Sequence, residues 1–359
     1  MNLVQNPSKY LGINFKLRGR RVADFEDIID RVQKKLQRWK AKLLSQACKT
    51  TLISSVLQAM PLYTFSCFRI LETVCNKSDA VNLDNLDNLD NLESLEHDLE
   101  TRKLRLVNLD KICQPKSRGG LGLKKLSLIN QAMISKQFWR IQHSPNSLLA
   151  RTFKAKYFPR SSLQEYKPKP HHGWTWKNIV VPHLPSLHQG HWLIWSGHQI
   201  PLTHPDWFQC LNISLLENNL LDGTIADLID QRSKSWRNDL VKKLYQFPAC
   251  EEILQLSLPK TPDIKDRLLW KHSTSREYKV NKAYHMLHQN HYPSYVQDQR
   301  PYGVSHIMWK LIWKVKLPLK ILTFIWKLLH DSLPVFEVLN NRGITFSSKC
   351  LMCNEKRNP

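Results

Sequence analysis

Apolar residues recur along much of this chain on a helical period. Between residues 24 and 44, Phe25, Ile28, Ile29, Val32, Leu36, Trp39 and Leu43 fall at steps of three and four, so an α-helix gathers them into one stripe. Asp24 is placed to cap the first turn, and Lys34, Lys35, Arg38, Lys40 and Lys42 take the other face. A second helix is predicted over 50–60 with Leu52, Val56 and Ala59 inward. Pro61 ends it, because the proline ring blocks further helical hydrogen bonding. Residues 126–141 and 148–157 read as helices, and helical patterning returns over 215–256 and 281–288. The stretch 305–342 sets Trp309, Trp313, Phe324 and Trp326 among leucines and isoleucines at helical spacing, which predicts core aromatics rather than a base-stacking platform. The expected fold is mainly α, in two parts, with few short strands.

One segment breaks the pattern. Residues 82–96 read NLDNLDNLDNLESLE and place Leu83, Leu86, Leu89, Leu92 and Leu95 at every third position. At that spacing each leucine slips by about 60° around an α-helix, so no stripe forms. Eight acids and no Lys or Arg lie between Asp79 and Glu100. The expectation for 76–100 is an acidic low-complexity insertion, or an acidic tether that competes for a basic surface.

Charge then becomes the strongest compositional signal. The chain carries +23, with 53 Lys and Arg against 30 acids, and without the acidic segment the remaining residues carry +31. Such an excess favours a polyanionic partner, nucleic acid before an acidic membrane surface. Apolar residues are 42% of the chain, enough for folded cores. Eight scattered cysteines and an opening MNLVQNPSKYLG without a hydrophobic run predict reduced thiols and an intracellular location, nucleus or cytoplasm. The most apolar run, 317–329, is broken by Lys320 and Lys327 and falls short of the ~20 residues of a membrane span.

Catalytic signatures are scarce. Polymerases and nucleases hold paired metals with closely set carboxylates, yet no Asp-Asp dipeptide occurs here. Gly119, Gly120 and Gly122 lack the spacing of a phosphate-cradling loop and read as turn residues. His171 and His172 form a lone pair in a loop and read as solvated or structural. Cys350 and Cys353 form a C-x-x-C pair, half of a common zinc site. Nothing suggests the βαβ unit that a redox C-x-x-C would need; two unused thiols remain the plain alternative.

Several stretches together resemble one family. KYLGINFKLRGRRVADFEDIIDRVQKKLQRWKAKLLSQACKTTLISSVLQAMPLYTFSCFRI is similar to the end of the reverse transcriptase of non-LTR (LINE-type) retrotransposons of plants, the thumb-like helices after the catalytic aspartates. VNLDKICQPKSRGGLGLKKLSLINQAMISKQFWRI and SLLARTFKAKYFP resemble the connector downstream. DRLLWKHSTSREYKVNKAYHML and the run from MWKLIWKVKLPLK to KCLMCNE resemble the zinc-binding module of these elements.

The resemblance implies thumb-like helices over 1–75, the acidic insertion over 76–100, a basic connector over 101–260 and the zinc-binding module over 261–359. It implies a mainly α fold: a helical hairpin, a helical connector and a small helical module. In the family a His and a further Cys complete the zinc site. This chain reaches Pro359 before them, so the expectation is an incomplete site at Cys350 and Cys353, to be completed only by an upstream group such as His330 or by another molecule, in a fragment of a longer polyprotein. The metal-binding aspartates are not among these residues, so the chain is expected not to be an enzyme by itself. The expected function is a nucleic-acid-binding remnant that meets RNA or an RNA–DNA hybrid through Arg31, Lys34, Lys35, Arg38 and Lys42, extended by Lys116, Arg118, Lys124 and Lys125. The alternatives are a non-catalytic segment of a working RNA-directed DNA polymerase and a non-functional product.

Overall fold

The computed structural model describes residues 9–10, 13–14, 25–40, 44–86, 107–161, 163, 166–180, 190–198, 200–202, 207, 223–258, 266–270, 272–293, 304–333 and 335. Asp24, Lys42, Cys350 and Cys353 lie outside them. The described residues are mainly helical, as the apolar period predicts.

The chain opens with a two-residue antiparallel pair, β1 (Lys9–Tyr10) and β2 (Ile13–Asn14). In α1 (Glu26–Lys40) the predicted stripe turns inward: Ile28, Val32 and Leu36 are buried, with Phe25 just before it. Glu26 and Asp27 sit in its first turn, where acids complement the helix dipole. Ser45 caps α2 (Gln46–Leu52) by accepting a hydrogen bond from the Cys48 N–H. The helix then widens into a π-turn, Ile53–Leu57, and the inward face shifts. Ile53 and Leu57 are buried, Leu52 and Val56 half-buried, and Ala59 exposed. The predicted set assumed an unbroken 3.6-residue period.

Pro61 precedes α3 (Leu62–Cys67). Then α4 (Glu72–Leu86) takes in the first eleven residues of the acidic segment, with Ser78, Asp79 and Asn82 buried. A short α5 (Leu109–Ile112), capped by Asn108, leads to the tight 3₁₀ turn Lys116–Arg118. Next come α6 (Leu126–His143), α7 (Leu148–Tyr157) and α8 (Trp174–Val180). Strand β3 (Gly190–Leu193) is followed by the hairpin of β4 (Ile229–Asp230) and β5 (Ser235–Trp236). After α9 (Asn238–Leu244) and α10 (Ala249–Gln255), β6 (Arg267–Trp270) pairs antiparallel with β3. The described elements end with α11 (Val280–His291), α12 (His306–Lys314) and α13 (Leu319–Leu329).

Two compact units result. The first joins Met1–Gln131 to Met286–Pro359, and the second is Ala132–His285. The first unit is therefore discontinuous in sequence. The core of the first unit packs Val32, Leu36, Ile53 and Leu57 against Ile112, Leu121, Leu123, Trp309 and Trp326. The second unit has two cores, one around Ile134, Phe138, Phe158 and Trp176, the other around Ile200, Leu228, Ile229, Val241 and Ile253. Trp309 and Trp326 are buried as expected and Trp313 is half-buried, but Phe324 is 55% exposed and faces away from the core.

Candidate nucleic-acid interface

Because the apolar stripe of α1 turns inward, its charged residues turn out. Arg31, Lys34 and Arg38 are exposed and Lys35 is half-buried. Arg31 Nε donates to the Asp27 carbonyl at 3.2 Å, which holds its guanidinium close to the helix surface. These four residues fall within eight positions of one helix and carry the basic face that the sequence predicts.

A second basic element is the turn 115–120. Gly119 has φ +82°, and a Cβ there would lie 2.9 Å from the Trp309 ring; at Gly120 a Cβ would run into the Gln114 carbonyl. Two side chains converge on the Gly119 carbonyl: Trp326 Nε1 donates at 2.7 Å and His330 Nε2 at 2.6 Å. The His330 ring stacks on Trp309. These contacts fix the turn and leave Lys116 exposed and Arg118 half-buried. Lys116 Nζ lies 4.6 Å from the Trp313 ring centre, so its charge is held by a cation–π contact.

Lys124 is half-buried, but Lys125 does not join the track. It is 9% exposed, and its ammonium meets Asp110 Oδ1 at 3.5 Å, His291 Nε2 at 2.9 Å and Tyr292 Oη at 3.3 Å. Tyr292 Oη donates to the same Asp110 oxygen. A buried ammonium needs such partners. His291 and Tyr292 lie more than 160 residues away in sequence, so no local pattern marks Lys125 as internal.

Nearby, Asp79 Oδ2 accepts the Leu126 N–H at the start of α6. Burial pushes its carboxyl up to about 7, against smaller downward pulls from that hydrogen bond and from Lys125. Asp79, Asn82, Gln58 and Cys113 line a small cavity with Leu109, Leu123 and Lys124. Burial also raises the Cys75 thiol to about 12 and the Cys113 thiol well above its usual range, which makes both inert as nucleophiles.

For zinc, thiolate donors have the right softness, and Cys350 and Cys353, outside the described residues, would offer two of the usual four ligands. Among the described residues no group of three or more His, Cys, Asp or Glu could hold a metal ion. His330, the other residue expected at the site, has its Nε2 engaged with Gly119. Among the described residues, no helix is long and apolar enough to cross a membrane.

Comparison with known proteins gives this arrangement a family. Residues 278–358 match the family model described as zinc-binding in reverse transcriptase. Over 92% of its length the chain is 26% identical to an Arabidopsis thaliana protein named "Putative ribonuclease H protein", and it covers 52% of that protein. It is also 34% identical over 123 residues to an uncharacterized mitochondrial protein of Arabidopsis thaliana, covering 34% of this chain and 75% of that relative. No solved structure matches the chain. The chain belongs to the reverse-transcriptase proteins of plant retrotransposons and includes their zinc-binding module. It spans about half the length of the longer relative.

Proposed function

We propose that this retroelement-derived chain binds RNA or an RNA–DNA hybrid and does not itself polymerise. The observation that carries this reading is the outward basic face of α1, with Arg31, Lys34, Lys35 and Arg38 on a helix whose opposite side is buried core. Lysine and arginine at this density contact phosphates, which gives salt-sensitive affinity without base specificity. Lys116 and Arg118, on their glycine-fixed turn, extend the contact. The absence of adjacent aspartates in the 359 residues supports a binding role without phosphoryl-transfer chemistry.

The second reading, a non-catalytic segment of a working RNA-directed DNA polymerase, is favoured by one observation: the chain spans 52% of the relative that it matches along most of its length. Zinc, if held by Cys350 and Cys353, would brace the module without taking part in chemistry.

The test is fluorescence anisotropy with labelled RNA across a salt series. Wild-type affinity is expected to fall steeply with log salt. Lys34→Glu, Lys35→Glu and Arg38→Glu together are expected to weaken binding at least tenfold and reduce the salt slope by about 2, near 0.7 per lost contact on a single strand. Unchanged binding would end the hairpin assignment.

A further inference from the structure

We propose that the second unit carries its own phosphate-binding site, built by the turn Lys169–Gly173 with Lys156 and Lys177, and that it takes the backbone of a nucleic acid. The inference extends the nucleic-acid reading but rests on different residues in a different unit.

The charge map points there first. Between Lys111 and Pro205 the chain has fourteen Lys and Arg and one acid, Glu165. Among the described residues from 132 to 205 there is no carboxylate side chain at all. Arg151, Lys154 and Lys156 on α7, and Arg160, Lys167, Lys169 and His171 beyond it, are exposed.

Within this field one cluster is assembled on a firm base. Trp176 is fully buried and stacks parallel to Tyr157 with ring centres 4.7 Å apart. The edge of His172 meets Tyr157 at 5.2 Å, and its face stacks on Tyr166 at 5.6 Å. Tyr166 Oη lies 2.5 Å from His172 Nδ1, and the Lys169 N–H points at the same nitrogen. An amide N–H can only donate, so Nδ1 is the acceptor, and in the neutral ring Nε2 carries the proton. His172 therefore presents a donor of fixed orientation.

Cations surround it. His171 lies against His172 at 4.8 Å, Lys156 Nζ is 5.4 Å from the Tyr157 ring centre, and Lys177 Nζ donates to the Pro170 carbonyl at 2.6 Å. His172 is held below the usual imidazole range, first by loss of water and then by the charges of His171, Lys169 and Lys177. Among the described residues no carboxylate pairs with Lys156, Lys169 or Lys177. Like charges gathered on a firm aromatic base, with an oriented N–H donor and no carboxylate partner among the described residues, fit a phosphate. A bound phosphate would relieve the repulsion and raise the His172 pKa. Affinity should then rise as pH falls through that raised value and decline above it.

The experiment uses the full chain with two probes. Inorganic pyrophosphate is titrated while the His171 and His172 ring resonances are followed by NMR at several pH values, and a labelled twelve-residue oligouridine reports affinity by anisotropy. The wild type should show a His172 pKa raised by pyrophosphate and tighter oligonucleotide binding at pH 5.5 than at pH 7.5. Lys169→Glu with Lys177→Glu should abolish the pyrophosphate response and weaken oligonucleotide binding at least fivefold. Lys156→Gln with Lys169→Gln, which leaves the Lys177 contact to Pro170 intact, should weaken both in the same direction. If pyrophosphate leaves His172 unmoved, or neither pair of substitutions changes affinity, the site is refuted. Loss of binding on reversing α1 with the pyrophosphate response intact supports both sites. A pyrophosphate response intact when α1 reversal changes nothing refutes the hairpin assignment alone.

Discussion

Asp79 is a carboxylate in a place built for its neutral form. It is 2% exposed, and its folded pKa of about 7 lies well above its ordinary value of 3.8. Stability linked to a raised acid is full below the unfolded value and declines as pH climbs through the folded one, here between about pH 4 and pH 7. Asp79→Asn keeps an acceptor for the Leu126 N–H without the charge. It should raise the unfolding free energy at pH 8 by on the order of 2 kcal/mol and change it little at pH 4, measured by thermal denaturation. Lys125 gives the complementary case: Lys125→Met should cost about 1–3 kcal/mol by removing the ammonium from Asp110 and His291, while RNA affinity stays within twofold. At Gly120 the Gln114 carbonyl occupies the space of a Cβ. Gly120→Ala should therefore lower stability by roughly 2 kcal/mol or more in urea titration and loosen the turn that presents Lys116.

At the scale of elements, the helices with strong apolar stripes were legible, because the period states both the helix and its inward face. Leu148–Tyr157 matches the expected 148–157, and Glu26–Lys40 falls inside the expected 24–44. The π-turn at Ile53–Leu57 was not legible, since ISSVL reads equally well on either helical register and packing selects the wide turn. The basic face of α1 could be read from its own periodicity, whereas the inward turn of Lys125 depends on Asp110, His291 and Tyr292. The cluster around His172 was illegible for a different reason: its base, Tyr157, Tyr166 and Trp176, is near in sequence but falls on no helical or strand period. Helical spacing over 305–342 predicted Trp309, Trp313, Phe324 and Trp326 as core, but the buried apolar positions of α12 and α13 are Trp309, Leu322 and Trp326. Ile307, Met308, Leu311, Ile321, Phe324 and Leu328 are exposed. A face of that kind should bind an apolar fluorescent dye in the native state, and Leu311→Ser with Phe324→Ser should lower the signal at unchanged helicity.

At the scale of the molecule, the family match at 278–358 and the compact units do not coincide. Trp309 and Trp326, within the match, complete a core whose other walls are Val32, Leu36, Ile53 and Leu57. A peptide of residues 278–358 alone should therefore show no cooperative thermal transition by circular dichroism, with or without added zinc, while the whole chain does. The first unit is also discontinuous, and that has a consequence in time. The helices that carry Ile53 and Leu57 leave the ribosome about 250 residues before their partners α12 and α13. At ~5–20 residues per second they wait roughly 12–50 seconds with Ile53 and Leu57 not yet covered by Trp309 and Trp326. For that interval the nascent chain offers chaperones an apolar surface that the finished protein hides. Any pause in translation before Trp309 lengthens that exposure.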